Sequence, residues 1–209
     1  MTARRRTAAL LGVVFVLLLA NFALAHDWDG WHQHKQTLGI FIFASNFNSA
    51  EAARADWDFP TNVMNLPRVT HHSNVSVFDG NFGDTGWGGL AEIISYFWHC
   101  HYLVDFFFFS VCFDWEPGIT HAHARLNTFY FWPNLNTGSV FDAGRGVLCQ
   151  EIGHTFGLDH SPDGCMGKGY FAGLQNNEPI SNVVTGHSDA DLNAKYGGAP
   201  VGTCDGGCF

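Results

Sequence analysis

The sequence predicts an α+β fold, because segments with the composition of strands are followed by segments with the composition of helices. Residues 38–43 are β-branched and aromatic, residues 74–78 alternate polar with apolar side chains, and residues 120–132 separate the two kinds onto opposite faces. A helix is expected over residues 142–157, with Asp142 as its N-cap. A short helix is expected over residues 188–196, whose first residues resemble a capping box with Asp191 in place of Glu. We therefore expect one domain in which a sheet packs against helices.

The first 25 residues have the three parts of a secretory signal peptide. Arginines at positions 4–6 precede an apolar run over residues 8–20, and residues 23–25 (Ala-Leu-Ala) match a cleavage site. Cleavage there leaves residues 26–209 as a single exported domain, extracellular or periplasmic. The alternative is an uncleaved anchor that holds a structural protein at the cell surface, which the shortness of the apolar run disfavours.

The charge of the chain argues against nucleic acid as a partner. The formal net charge is −9, and no stripe of Lys and Arg is present. Apart from residues 8–20, no apolar run is long enough to suggest a membrane span. We therefore expect an acidic exported protein that binds neither nucleic acid nor, after cleavage, a membrane.

The most informative stretch is a helical segment that ends in a glycine. Gln150 and His154 lie one turn apart on one face, with Glu151 beside them. Gly157 follows where helices commonly end in a left-handed residue. A turn there would bring His160 back towards His154, so that two imidazoles and a carboxylate surround one point.

This stretch resembles the metzincin zinc-protease motif H-E-x-x-H-x-x-G-x-x-H, with Gln150 in place of the first histidine. Ser161 directly after the last histidine resembles the matrixin branch, and residues 165–167 (Cys-Met-Gly) resemble the Met-turn, with Met166 below the metal site. The resemblance covers roughly residues 75–196. It implies a twisted, mostly parallel sheet packed on an active-site helix, then a small C-terminal subdomain with a short helix.

The resemblance also implies a secreted zinc-dependent endopeptidase that hydrolyses internal peptide bonds. Glu151 would be the catalytic base, because it follows the first ligand position directly. His154 and His160 would bind the catalytic zinc together with Gln150, and Gly157 would shape the turn between them.

Activity depends on Gln150. An amide oxygen reaches about as far as an imidazole nitrogen, but it is harder and a poorer ligand for zinc. Either Gln150 is a weak third ligand in a working enzyme, or a water or a distant histidine completes the site, or the metal is lost. In the last case the chain is a catalytically impaired secreted binding protein, which is the alternative to the protease.

By the same resemblance, the partner is a polypeptide bound in extended conformation along a sheet edge, and the protein is a monomer. We expect the strand over residues 120–131 to form that edge. Its His121 and His123 share one face and offer two ligands for a second metal, although a solvated polar face is the simpler explanation.

Two further features concern metal ions and disulfides. Asp79, Asn81 and Asp84 could bind calcium through oxygen, but turn chemistry explains the same residue types. All six cysteines lie in the exported part, and sequence alone does not fix their connectivity. One bond would pin the Met-turn to the helix, one would close a tight turn, and two cysteines then remain. The expected pairs are Cys149–Cys165, Cys204–Cys208 and Cys100–Cys112.

Two more expectations concern local structure. Residues 103–113 contain four consecutive phenylalanines and are apolar on both faces, so they form either a buried strand or a buried helix. Gly153 lies inside the predicted active-site helix, where a glycine would let another backbone approach closely.

Overall fold

The computed structural model of the protein describes residues 31–33, 36–58, 63–106, 109–130, 139–161, 163–167 and 184–196. The strands are β1 (His32–Gln33), β2 (Ile40–Phe43), β3 (Val75–Gly80), β4 (Gly89–Phe106) and β5 (Phe109–Asn127). The α-helices are α1 (Phe47–Asp58), α2 (Ser139–Thr155) and α3 (Gly186–Tyr196), and 3-10 helices occur at Thr128–Tyr130 and Gly164–Met166. The predicted signal peptide and the Cys204–Cys208 pair lie outside the described residues.

The strands form one open, mostly parallel sheet. β2 pairs with β3 and β3 with β5, both in parallel, and β1 adds a short parallel pairing at Gly118 and Ile119, which precede the β3 pairing in β5. β4 pairs antiparallel with the opposite side of β5 and, within the described ranges, with no other strand. The predicted α+β class is therefore confirmed, and β4 is the antiparallel edge of the sheet.

β5 is an interior strand, so the prediction that residues 120–131 form a sheet edge is wrong. Ala124 pairs with Val77 of β3 on one side and with Ala91 of β4 on the other. The alternation of side chains reports the two faces of a strand, whereas its edges are occupied by residues distant in sequence. The edge strand next to α2 is β4.

The phenylalanine-rich segment joins two strands instead of forming one buried element. β4 ends at Phe106 and β5 begins at Phe109, and these two residues pair across a hairpin. The prediction of a single strand or helix over residues 103–113 is therefore wrong. Phe109, the first residue of β5, is 61% exposed.

Two helices cover one face of the sheet. The core contains Trp57 from α1 and Leu148 and Ile152 from α2, packed with Val77 of β3 and Leu126 of β5. Burial of such side chains stabilises the fold by roughly 1.5–3 kcal/mol each. No helix in the described part of the chain is long and apolar enough to cross a membrane.

Both predicted helices begin earlier than expected. α2 begins at Ser139, so Asp142 lies inside the helix and is not its N-cap. α3 begins at Gly186, and the Asp189 N–H donates to the Thr185 carbonyl at 3.0 Å, which places Ser188 in the first turn. Side chains that can cap a helix indicate candidate starts, but the boundary is set by which backbone bonds form.

Candidate functional site

α2 carries three of the predicted site residues. Gln150, Glu151 and His154 are all buried on this helix, which ends at Thr155 as the glycine signal predicts. Burial of three polar side chains requires partners or a ligand, because an unpaired buried polar group costs about 1–3 kcal/mol.

The turn after α2 has the predicted left-handed glycine. Gly157 has a φ of 80°. Its N–H donates to the His154 carbonyl at 2.9 Å, and the Leu158 N–H donates to the Gly153 carbonyl at 3.3 Å. These two bonds form a Schellman motif, which ends the helix and reverses the chain.

This reversal brings His160 against His154. The centroids of the two imidazole rings are 4.8 Å apart, and the ring planes are nearly perpendicular at 89°. His154 Nδ1 lies 2.7 Å from the Leu158 carbonyl and therefore carries the proton that it donates. Nε2 of the neutral ring then carries the lone pair. Burial lowers the pKa of His154, which favours this neutral form.

Residues from both ends of the described chain satisfy the last carbonyls of α2. Gln33 donates its side-chain amide to the Thr155 carbonyl at 2.9 Å, and the Tyr196 hydroxyl donates to the Phe156 carbonyl at 2.6 Å. The same hydroxyl accepts the Gln33 N–H at 2.8 Å. Helix ends have unpaired carbonyls, so these bonds fix the position of the turn that carries the histidines. Sequence reasoning missed this role of Gln33 and Tyr196.

Met166 lies beneath α2, next to a disulfide bond to this helix and in close contact with Gly153. Cys149 of α2 is bonded to Cys165, as expected, and the Ser161 N–H donates to the Met166 carbonyl at 2.8 Å. The absence of a side chain at Gly153 makes room for the Met166 sulfur and for Trp57, so side chains, and not a backbone as predicted, pack against this glycine. The Cys100–Cys112 bond is also present, in the β4–β5 hairpin.

Gln150 lies next to the same turn. Its amide nitrogen is 3.5 Å from the carbonyl of Gly167, directly after Met166. This contact is long for a hydrogen bond and therefore weak. It directs the amide nitrogen towards the Gly164–Met166 turn and the amide oxygen away from that carbonyl.

Glu151 lies beneath the first residues of β4. Its carboxylate accepts the Ala91 N–H, and a Cβ placed on Gly89 would overlap the carboxylate and come within 2.5 Å of Val147. Burial raises the pKa of Glu151 to about 8, against the opposing effect of the Ala91 hydrogen bond. The edge strand and the carboxylate are thus in direct contact, an arrangement that the sequence did not indicate.

The glycine-dense loop before β4 is organised by two residues that sequence reasoning missed. Tyr130 donates its hydroxyl to Asp84 at 2.7 Å and accepts the Gly86 N–H at 2.6 Å. Asn127 is fully buried and bonds the loop through both atoms of its amide. Its partners are the N–H of Phe82, the carbonyls of Gly83 and Trp87, and the Thr85 hydroxyl. An asparagine at a strand end opposite a glycine-rich loop was the available clue.

The predicted calcium residues each have partners within the chain. Asp79 accepts four hydrogen bonds from Ser45 and Asn46, which place its carboxylate at the start of α1. Asn81 accepts the Gly83 N–H at 3.0 Å, and Asp84 accepts from Tyr130. Turn and helix-start chemistry accounts for these contacts.

His121 and His123 share a face of β5, with ring centroids 5.1 Å apart. His121 Nδ1 is 2.8 Å from the Ser73 carbonyl, while His123 lies beside Arg125, which is paired with Glu92. Burial lowers the pKa of His123. These contacts are those of a hydrogen-bonded polar face, the simpler of the two interpretations.

The structure thus brings together the predicted ligands His154 and His160 and the turn that contains Met166. No group of three or more His, Cys, Asp and Glu side chains that could hold a metal ion occurs within the described residues. The third predicted ligand, Gln150, is of a different type. No protein-family model and no curated protein sequence matches the chain.

Proposed function

We propose that the protein is an exported zinc-dependent endopeptidase of the metzincin type, with its centre on α2 and the turn that follows. The observation that carries the proposal is the approach of His154 and His160, whose ring centroids are 4.8 Å apart across the Gly157 turn. Two disulfides fit an oxidising compartment outside the cytoplasm.

The chemistry of the donors fits zinc. His154 is neutral, its Nδ1–H is held by the Leu158 carbonyl, and its Nε2 can donate a lone pair. A ligand histidine in metalloproteins typically has its other nitrogen bonded to a carbonyl or a carboxylate in this way. His160 would be the second ligand. Gln150, one turn before His154, would be the third through its amide oxygen, a weaker donor than imidazole.

Zinc bound at this centre would supply a Lewis acid for the scissile carbonyl and for the attacking water. Glu151 would accept a proton from that water and deliver it to the leaving amine. The contact of Gly89 and Ala91 with this carboxylate places the edge of β4 directly beside it. An extended substrate would therefore lie along β4, in place of the strand that the sequence suggested.

The alternative function is a secreted binding protein that keeps the scaffold without catalysis. Gln150 favours this alternative, because His154 and His160 alone make only two strong ligands. The dependence on bound metal distinguishes the two functions, since only the enzyme needs a metal ion to act.

The experiment is cleavage of an unfolded protein substrate by the purified exported chain, with and without a chelator. We expect chelator-sensitive cleavage that Glu151→Ala abolishes while the bound zinc remains. Gln150→His should tighten zinc binding if Gln150 occupies the ligand position. Cleavage by Glu151→Ala at the wild-type rate would rule out the proposed mechanism, and a chain that binds no zinc would favour the binding protein.

A further inference from the structure

The outer part of the β4–β5 hairpin carries exposed aromatic residues on one face. We call residues 94–106 and 109–117 the hairpin arm, which extends beyond the parallel strands of the sheet. Trp98 pairs with Pro117 and Cys100 with Trp115, and directly opposed residues share a face. Tyr96, Trp98 and Trp115 therefore lie on the same face, where 52%, 55% and 56% of their surfaces are exposed.

The base of this aromatic face is anchored to the domain. Pro117 is buried, and Trp31 packs edge-on against Tyr96 with ring centroids 4.8 Å apart. Tyr96 and Trp98 are themselves in contact, with ring centroids 6.3 Å apart. The Cys100–Cys112 disulfide joins the two strands of the hairpin arm. Large apolar side chains that are held in place and still exposed are typical of interaction surfaces.

The charge of this region selects the kind of partner. Residues 89–118 contain four acidic residues and no Lys or Arg. One of the four, Glu92, is paired with Arg125 of β5, and the other three belong to the hairpin arm. Aromatic faces attract cations, and the formal charge of the hairpin arm, −3 with its two histidines neutral, adds a longer-range attraction for a basic ligand. The complementary ligand is basic, whereas nucleic acid and anionic lipid would be repelled.

The edge of β4 connects this face to the candidate catalytic centre. β4 begins at Gly89 in contact with Glu151 and runs as one strand through Trp98, with register shifts in its pairing on either side of Ser95. Trp98 is seven residues beyond Ala91, a distance of about 23 Å at about 3.3 Å per residue. A polypeptide seated along β4 beside Glu151 would therefore reach the aromatic face with residues about seven positions from the bond to be cut.

From these observations we infer that the hairpin arm is a second docking surface, which binds a basic, extended segment of the substrate polypeptide. The assignment to substrate rests on the proposed protease function, but binding by the arm requires neither metal nor cleavage. Substrates would be selected by Lys and Arg residues remote from the scissile bond, with Trp98 and Trp115 as the contacting groups.

The test is fluorescence anisotropy with labelled peptides of about 16 residues, enough to span from Ala91 past Trp98 at about 3.4 Å per residue. One peptide alternates Lys with Ser and Val, and its counterpart has Glu in place of Lys. The protein carries Glu151→Gln so that the probe is not cut. We expect the basic peptide to bind at least about tenfold more tightly than the acidic one, and more weakly as salt is raised.

Variants on both strands identify the surface. Trp98→Ala and Trp115→Ala should each weaken binding of the basic peptide by about fivefold or more. Phe43→Ala is the matched control, because Phe43 is an aromatic residue of β2 that is 68% exposed and outside the hairpin arm. Thermal melting of each variant establishes that it is folded, and the two tryptophans on different strands give independent readings.

Three results would overturn the inference. They are equal affinity for the basic and acidic peptides, wild-type affinity in both folded tryptophan variants, and a Trp98-dependent association with phosphatidylcholine vesicles or with a second copy of the chain in place of the peptide. Peptide binding through Trp98 by a chain that cuts nothing would reject the protease and keep the docking surface. Cleavage of basic substrates that is independent of Trp98 and Trp115 would keep the protease and reject the docking surface.

Discussion

His154 and His160 meet with their ring centroids 4.8 Å apart, although the chain reverses direction between them. The reversal depends on the left-handed backbone of Gly157, with a φ of 80°, and on the two hydrogen bonds that end α2. The reversal itself is local, while Gln33 and Tyr196, both distant in sequence, bond the last carbonyls before it and fix its position. The approach of the two imidazole rings is therefore a property of one helix and its C-terminal turn, and the contacts from distant residues hold that turn in place.

Gly157→Ala should destabilise the protein and weaken zinc binding. A side chain at positive φ costs about 1–2 kcal/mol, and relief of that strain would move His160 away from His154. The measurements are the urea midpoint and the zinc affinity. Gly83→Ala is the control, since Gly83 has a φ of 76° with no atom within 4 Å of an added Cβ. It should lose similar stability without a change in zinc affinity, and equal zinc affinities in the two variants would contradict the role of Gly157.

Replacing either of two glycines of α2 by alanine should change the stability of the protein, and the two changes should have opposite signs. A Cβ on Gly153 would overlap the Met166 sulfur and come within 2.6 Å of Trp57, so Gly153→Ala should cost about 1–3 kcal/mol. A Cβ on Gly144 would meet Leu126 at 3.5 Å, an ordinary contact, and Gly144→Ala should gain up to about 1 kcal/mol of helix propensity. Chemical denaturation gives both values, and a Gly153→Ala variant at least as stable as the wild type would show that the packing at Gly153 is not tight.

The local parts of the site could be predicted from the sequence, and the non-local parts could not. The approach of His160 to His154 and the left-handed Gly157 follow from helical spacing and glycine chemistry over a few residues. The position of β4 against Glu151 depends on strand pairing between distant segments, and the aromatic residues of β4 give no clear period. Asn127 was missed for the same reason, because its partners lie about forty residues earlier in the chain.

Glu151 should make the stability of the metal-free protein depend on pH. Its pKa is raised from 4.5 to about 8 by burial, so the folded chain holds a proton that the unfolded chain releases between these values. The contribution of this bound proton to the free energy of unfolding is fully present below about pH 4.5 and is lost as the pH rises through about 8. Urea unfolding of the metal-free protein should show a fall on the order of a few kcal/mol from pH 5 to pH 9.

Glu151→Gln removes this titration and keeps an oxygen that can accept the Ala91 N–H. The variant should therefore lose less stability than the wild type between pH 5 and pH 9, and it should be the more stable of the two at pH 9. Parallel loss in both proteins would mean that other groups cause the pH dependence and that Glu151 titrates near its ordinary pKa.

The two disulfides should differ in their effect on the metal centre. Their sequence separations are 16 and 12 residues, so the loss of either bond should cost roughly 3 kcal/mol by the chain-entropy model. Cys149→Ala with Cys165→Ala should also weaken zinc binding, because the turn that carries Met166 is released from α2. Cys100→Ala with Cys112→Ala should leave zinc affinity unchanged. Isothermal titration with zinc distinguishes the two double variants. Equal zinc affinities would show that the turn containing Met166 needs no disulfide to support zinc binding.

The most direct measurement is a zinc titration of the purified metal-free chain against a chromophoric chelator, with His160→Ala and the control His71→Ala. His71 is exposed and lies outside the candidate centre. The wild type and the control should each bind about one zinc ion, and His160→Ala should bind it at least about tenfold more weakly. A wild-type chain that binds no zinc, or His160→Ala with undiminished affinity, would contradict the claim that His154 and His160 hold one metal ion.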